Sequence, residues 1–175
     1  LCLIKHRIIS STQDGVHMIS LNVNLDNRTY PIYIATDYSG IKRGLSRAKT
    51  NSKIAVITDN NVDKCQSESF FEALEISGYK AEKYVIKAGE ISKNLETVNG
   101  IYNYLMKLRF DRSSTLIALG GGVVGDITGF VAATYLRGIN FIQVPTTILA
   151  QADSSVGGKV GVDFAGSKNV IGSFY

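Results

Sequence analysis

The run Gly120-Gly121-Gly122-Val123-Val124-Gly125 has the spacing G-x-G-x-x-G and directly follows an apolar stretch, 115–119, with the composition of a buried strand. Between a strand and a helix, such glycines let the backbone approach a pyrophosphate, and free N–H groups at the helix amino terminus meet its charge. The spacing by itself also fits a glycine-rich turn with no ligand. It departs from the dinucleotide fingerprint twice. The unit comes late in the chain, and no acid follows about 20 positions on, where the sequence reads Phe141-Ile142-Gln143-Val144-Pro145. Asp59, which ends an earlier apolar run, is the alternative holder of a nucleotide ribose.

Charge is scarce beyond the glycine loop. From Asp126 to Tyr175 six residues are charged: Asp126, Arg137, Asp153, Lys159, Asp163 and Lys168. A segment so poor in charge is mostly buried, so each charge needs a partner or a ligand. Lys159 follows Val156-Gly157-Gly158, glycines that allow an anion close to backbone and amine, and Lys168-Asn169 lies a short loop away. Arg137, Lys159 and Lys168 could together meet a phosphate or carboxylate. The alternative is three structural ion pairs with Asp126, Asp153 and Asp163. Pro145-Thr146-Thr147 and Asp153-Ser154-Ser155 read equally as helix caps or turns, and Glu90 and Lys93 as a first-turn carboxylate and a solvated lysine.

Regular punctuation supplies the elements that must position these residues. Alternation at Ile19, Leu21, Val23 and Leu25, a turn at Asp26, Asn27 and Arg28, then Tyr30, Ile32 and Ile34 predict a strand pair. Apolar runs at 53–58, 84–86, 115–119 and 139–144 read as strands. Helical patterns fall between them: a short one near 39–47, one carrying Phe70, Phe71 and Leu74 that stops at Gly78, and one with Leu95, Val98, Tyr102, Leu105 and Leu108. Further helices are expected from the glycine loop to Tyr135 and from about Thr146. Alternating strands and helices imply a doubly wound, mostly parallel α/β sheet with ligands at the carboxyl ends of its strands.

Composition removes several classes of function. The chain has 175 residues, 45% hydrophobic and 19% charged, which suits one globular domain. A net charge of +4, evenly spread, does not make a nucleic-acid surface. No run approaches the roughly 18 apolar residues of a membrane span. Cys2 and Cys65 form no disulfide framework or metal-ligand spacing, so a cytoplasmic protein with a small-molecule partner is expected. Residues 1–17, including His6 and His17, show no sustained periodicity and are expected to lie outside the fold as a leader, with residues 18–175 forming the domain. The ending, Lys168 to Tyr175, lies inside an apolar run, and the chain is expected to be truncated there.

The loops together resemble one family. GGGVVGD, YLRG, FIQVPTTILAQADSSVGGKVGVD and GSKNVIGSF, with TDNNV at 58–62 and GEISK at 89–93, are similar to the signature segments of 3-dehydroquinate synthase, a sugar-phosphate cyclase. The resemblance covers 18–175, about the amino-terminal half of a family member. It implies a shikimate-pathway lyase that converts 3-deoxy-arabino-heptulosonate 7-phosphate to 3-dehydroquinate and phosphate. The implied steps are transient oxidation by NAD, phosphate elimination, re-reduction and aldol closure, with a divalent metal, zinc or cobalt.

Carried over by position, the resemblance assigns Asp59, Asn61 and Val62 to the adenosine, Glu90 and Lys93 to the ribose region, and Gly121, Gly122 and Val123 to the pyrophosphate. Asp126, Thr146, Thr147 and Lys168 would complete the NAD site. Asp153, Lys159 and Asn169 would hold substrate, and Arg137 would reach a substrate phosphate across a homodimer interface. Family members hold the metal with a Glu and two His in a later helical domain, and no histidine follows His17. No metal ligand is therefore assigned in this chain, which alone is expected to be inactive. Related readings are a 2-deoxy-scyllo-inosose or epi-valiolone synthase, a glycerol-dehydrogenase-like enzyme, or a non-catalytic NAD-binding module.

Overall fold

The computed structural model describes residues 2–5, 18–24 and 29–175. Seven strands make one sheet: β1 Cys2–Lys5, β2 Ile19–Val23, β3 Tyr30–Ala35, β4 Ile54–Asp59, β5 Glu82–Ile86, β6 Thr115–Gly120 and β7 Asn140–Pro145. Their order is β2-β3-β1-β7-β6-β4-β5; β2 and β3 pair antiparallel, and the other neighbours pair parallel. This is the expected doubly wound sheet with an amino-terminal strand pair.

Strand periodicity explains the two layers. Along β4 and β6, Ile54, Val56, Ile117 and Leu119 face one side and pack with Ile41 and Leu45 of helix α1 (Ile41–Arg47) and Phe70 and Leu74 of α2 (Asn60–Ile76). Ala55, Ile57, Leu116 and Ala118 face the other side, under α3 (Leu95–Lys107) and α4 (Gly122–Thr134). Burying a Phe or Leu side chain contributes about 1.5–3 kcal/mol, and Phe70, Leu74, Ile101, Leu105 and Ile127 are almost wholly removed from solvent. No helix among the described residues is long and apolar enough to cross a membrane.

Three expectations change. Cys2–Lys5, placed outside the fold by the sequence reading, forms β1: it pairs with Ile32–Ala35 on one side, and Cys2 with Gln143 on the other. Four residues are too few to show periodicity, yet β3 and β7 both have backbone groups facing this slot that require partners. The helix expected from about Thr146 is short, confined to 148–154, and is of π type over Ala150–Ser154. Beyond it lies an antiparallel hairpin the sequence reading did not assign, β8 (Lys159–Phe164) and β9 (Ser167–Phe174). Its two-residue turn, Ala165-Gly166, has φ values of 50° and 78°, the left-handed pair a tight hairpin favours. The expected turn at Asp26–Arg28, with Leu25, His6 and His17, lies outside the described residues. On β2, Ile19 and Leu21 are about half exposed, because this strand forms the sheet edge.

At the amino ends of the strands, Asp111 closes a polar turn. Its Oδ1 accepts from the backbone N–H of Ser113 and the hydroxyls of Ser113 and Ser114, while Oδ2 accepts from Ser52 across the loop. These bonds, Ser52 first, hold the carboxyl down to about 2. A depressed folded pKa contributes stability above the unfolded value near 3.9, which is lost as pH falls through the folded value. Asp111→Ala is therefore expected to lower the melting temperature at pH 7, with the gap to the unsubstituted chain narrowing between about pH 4 and pH 2. Thermal unfolding across that range checks it; a gap independent of pH would refute the assignment.

Candidate functional site

The sheet order fixes where a ligand can sit. From β4 the chain passes through α2 to β5 on one side, then returns through α3 to β6 on the other. The crevice at the carboxyl ends of β4 and β6 is the topological switch point, the usual ligand position in such sheets. Thr58 pairs with Leu119, so Asp59 and Gly120 end adjacent strands.

Asp59 caps α2: Oδ1 accepts from the N–H groups of Asn61 (2.8 Å) and Val62 (3.0 Å). The three residues assigned to the adenosine are thus one capping unit. Next to it, Asn60 Oδ1 accepts from the N–H of Ala88, tying α2 to the loop carrying Glu90 and Lys93.

Gly121 is the amino-terminal cap of α4 and brings no side-chain acceptor. The first N–H groups of the helix therefore face the crevice without intrahelical partners. A Cβ on Gly121 would lie 3.1 Å from Thr147 Cγ2, and one on Gly122 would lie 3.0 Å from Ser154 Oγ. Because both positions are glycine, Thr147 and Ser154 pack directly against the amino terminus of α4. β7 delivers Thr146, whose N–H donates to Gly120 O, and Thr147, whose Oγ1 accepts from Ala150 N–H. The π turn, closed by Ser155 N–H to Ala150 O at 3.1 Å, carries Asp153 and Ser154. Such turns are frequent at functional sites.

The hairpin completes the wall. Lys93, 5% exposed, pairs with Asp126 of α4, and Lys93 O accepts from Asp163 N–H. Lys168 Nζ lies 3.2 Å from Glu90 Oε1, and Asn169 N–H donates to Asp163 Oδ1. Burial, the largest influence, raises the Asp126 carboxyl above the ordinary range; Lys93 opposes this, and Glu90 and Asp163 add to it. Lys93 is therefore a buried structural cation rather than a solvated lysine. The ion pairs foreseen for Arg137, Lys159 and Lys168 with Asp126, Asp153 and Asp163 do not form. Lys168 pairs with Glu90 instead, and Lys159, Asp153 and Arg137 have no ion-pair partner among the described residues.

A cavity of about 550 Å³ is lined by Asp126, Asp153, Ser154, Lys159, Asn169 and Phe174, among others. Another, of about 570 Å³, opens at the amino ends of β4 and β5 around Lys53 and Tyr79. The first is the better candidate, because it adjoins the switch point and contains the unpaired Lys159 and Asp153. Arg137 is not in it: it lies beyond the carboxyl end of α4, in a corner where Leu136 and Arg137 take φ values of 52° and 68°. Ser154 escaped the sequence reading as a site residue, since its position on a π turn against Gly122 leaves no signal in spacing.

The cradle fits a dinucleotide diphosphate on two independent grounds: the first N–H groups of α4, left free by a glycine cap with no side-chain acceptor, and the buried hydroxyls of Thr146 and Ser154, which have no hydrogen-bond partner. Among the described residues, no group of three or more His, Cys, Asp or Glu side chains could hold a metal ion.

Comparison with known proteins agrees with this architecture. The 3-dehydroquinate synthase N-terminal family profile matches residues 83–175. A 3-dehydroquinate synthase of Acetivibrio thermocellus is 64% identical over 158 residues, which is 90% of this chain and 44% of the relative. The chain thus spans a little under half the length of the curated relatives it matches. A solved 2-deoxy-scyllo-inosose synthase, complexed with carbaglucose-6-phosphate, NAD+ and Co2+, is 26% identical over 90% of this chain and 42% of its own, with a TM-score of 0.75. A 2-epi-5-epi-valiolone synthase from Streptomyces hygroscopicus subsp. jinggangensis, with NAD+ and Zn2+ bound, is 28% identical over 77% of this chain and 38% of its own, with a TM-score of 0.68. With the family profile covering more than half its residues, this chain belongs to the 3-dehydroquinate synthase family.

Proposed function

We propose that these residues are the NAD-binding part of a 3-dehydroquinate synthase acting on 3-deoxy-arabino-heptulosonate 7-phosphate. The observation that carries this reading is the pair of charges without ion-pair partners, Lys159 and Asp153, in one cavity whose Ser154 packs against the glycine cap region of α4. Cyclase relatives with this fold are described with NAD+ and a divalent metal, Co2+ in one and Zn2+ in the other.

Bound NAD would supply reversible hydride transfer, making a neighbouring C–H acidic enough for phosphate elimination. This chain's residues bind and orient. Gly121, Gly122 and Val123 present N–H groups to the diphosphate. Asp59, Asn61 and Val62, with Glu90, Lys93, Thr146, Thr147 and Lys168, bound the rest of the cofactor site. Lys93 holds the Asp126 carboxylate in the cavity wall. Lys159 Nζ offsets substrate anionic charge, Asn169 supplies an amide, and Asp153 an acceptor for substrate hydroxyls. Arg137 is remote from this cavity, so its assigned contact with substrate phosphate requires a second copy, as in a homodimer. The metal's ligands are assigned to the portion of the relatives that this chain does not span. A cytoplasmic location belongs to the same reading.

Calorimetric titration with NAD tests the cofactor half of the proposal. Gly121→Val should abolish measurable binding, a loss of at least about 100-fold, because its branched side chain meets Thr147 and fills the cradle. Equal NAD affinity before and after this substitution would refute the placement. Phosphate release from the heptulosonate phosphate, assayed after completing the chain with the remainder of the Acetivibrio relative, tests the substrate. The 175-residue chain alone is expected to release none.

A further inference from the structure

A buried hydroxyl without a partner is costly, so its occurrence beside an anion cradle needs a physical cause. Ser154 Oγ exposes less than 1 Å² and has no hydrogen-bond partner, although the residue itself is only half-buried and lines the cavity. The oxygen rests against Gly122, where a Cβ would lie 3.0 Å from it. Thr146 Oγ1 is unpartnered in the same way, at the end of the adjacent strand. The α4 amino terminus thus has two buried hydroxyls beside its free N–H groups, and no acceptor for either.

The geometry points to Ser154 as a further cofactor-binding residue, donating a hydrogen bond from Oγ to a diphosphate oxygen of the dinucleotide at the amino terminus of α4. The proposal rests on the NAD-binding reading and adds to it a residue outside the glycine loop. The hydroxyl already rests against Gly122, so it stands beside any oxygen seated on the first N–H groups of α4. A phosphate oxygen there has the one property the site lacks, an anionic acceptor. Ser154 follows Asp153 on the same π turn, so this bond would also fix the turn that presents Asp153 to substrate.

The test compares the unsubstituted protein with Ser154→Ala and Ser154→Cys, which keeps volume but donates poorly. Each is made in this chain and in its completion with the remainder of the Acetivibrio relative. Both substitutions should weaken NAD and ADP-ribose binding by about tenfold or more, the expected size for one hydrogen bond to a charged group. The ligand-free melting temperature should hold or rise by up to about 3 °C, since the alanine removes an unpartnered buried hydroxyl. An NAD dissociation constant within twofold of the unsubstituted value would overturn the assignment. So would a loss confined to inorganic phosphate, or a lower ligand-free melting temperature at unchanged NAD affinity, which would make Ser154 structural. Failure of the unsubstituted protein to bind NAD in either form would instead defeat the underlying reading.

Discussion

Lys159→Ala is expected to reduce phosphate release by about 10²- to 10³-fold in the completed protein while leaving NAD affinity within about threefold. Lys159 is exposed in the ligand-free chain and gains a charged partner only when substrate binds; losing one partner of such a pair once it is desolvated costs on the order of 2–5 kcal/mol, and each 1.36 kcal/mol is about tenfold in rate. Lys159 is the cavity's cation without an ion-pair partner, whereas Lys93 and Lys168 are already paired with Asp126 and Glu90. Its backbone is well fixed. Gly157 and Gly158 precede it with φ values of 97° and 70°, Gly158 O accepts from Tyr175 N–H, and Lys159 pairs with Phe174 across the hairpin. The ammonium is therefore presented from a rigid strand end, and its loss should act on substrate rather than cofactor. Steady-state phosphate release and NAD calorimetry on the same protein separate the two. Equal losses in both would mean the cavity is not divided between cofactor and substrate as assigned.

Gly129→Ala should destabilise the chain by about 2 kcal/mol and lower its melting temperature by roughly 4–8 °C. In an exposed helix this change would gain about 1 kcal/mol of propensity. Here the new methyl would interpenetrate Val160 and come within 2.9 Å of Phe141. Gly129 is the point where α4 lets β8 approach, and Val160 and Val162 pack there with Ile127, Phe130 and Val131. Displacing β8 also moves Lys159, so turnover should fall with stability. Gly100→Ala is the matched control: in α3 the only close atoms belong to the Tyr84 phenol, the nearest being its hydroxyl at 2.8 Å. That ring end can shift, so the control should stay within about 2 °C. Similar behaviour of the two variants would remove the packing argument.

Local pattern carried much of this molecule. Alternation and helical spacing encode which side of an element is buried, so β3 to β7 and α1 to α4 stand close to where the sequence places them. The glycine spacing and the scarcity of charge beyond Asp126 also picked out the loops that meet at the switch point. These signals are local because each depends on residues a few positions apart.

Partnerships between distant segments were not available from the sequence. Lys93 reads as a solvated lysine until α3 and α4 fold onto one face and bring it to Asp126, 33 positions away. Lys168 reads as a free cation until β9 lies beside Glu90. Arg137 has the composition of a site residue, yet α4 carries it away from the cavity. Cys2–Lys5 is too short to show a period and becomes a strand only because β3 and β7 leave a slot between them. Sequence alone therefore determined β2 to β7, the four α-helices, the glycine spacing and the family, but neither β1 nor the β8–β9 hairpin. Tertiary structure decided which charges are neutralised, that Lys159 and Asp153 remain unpaired, and that Ser154 meets Gly122, because these depend on sheet order and on backbone groups finding partners across the fold.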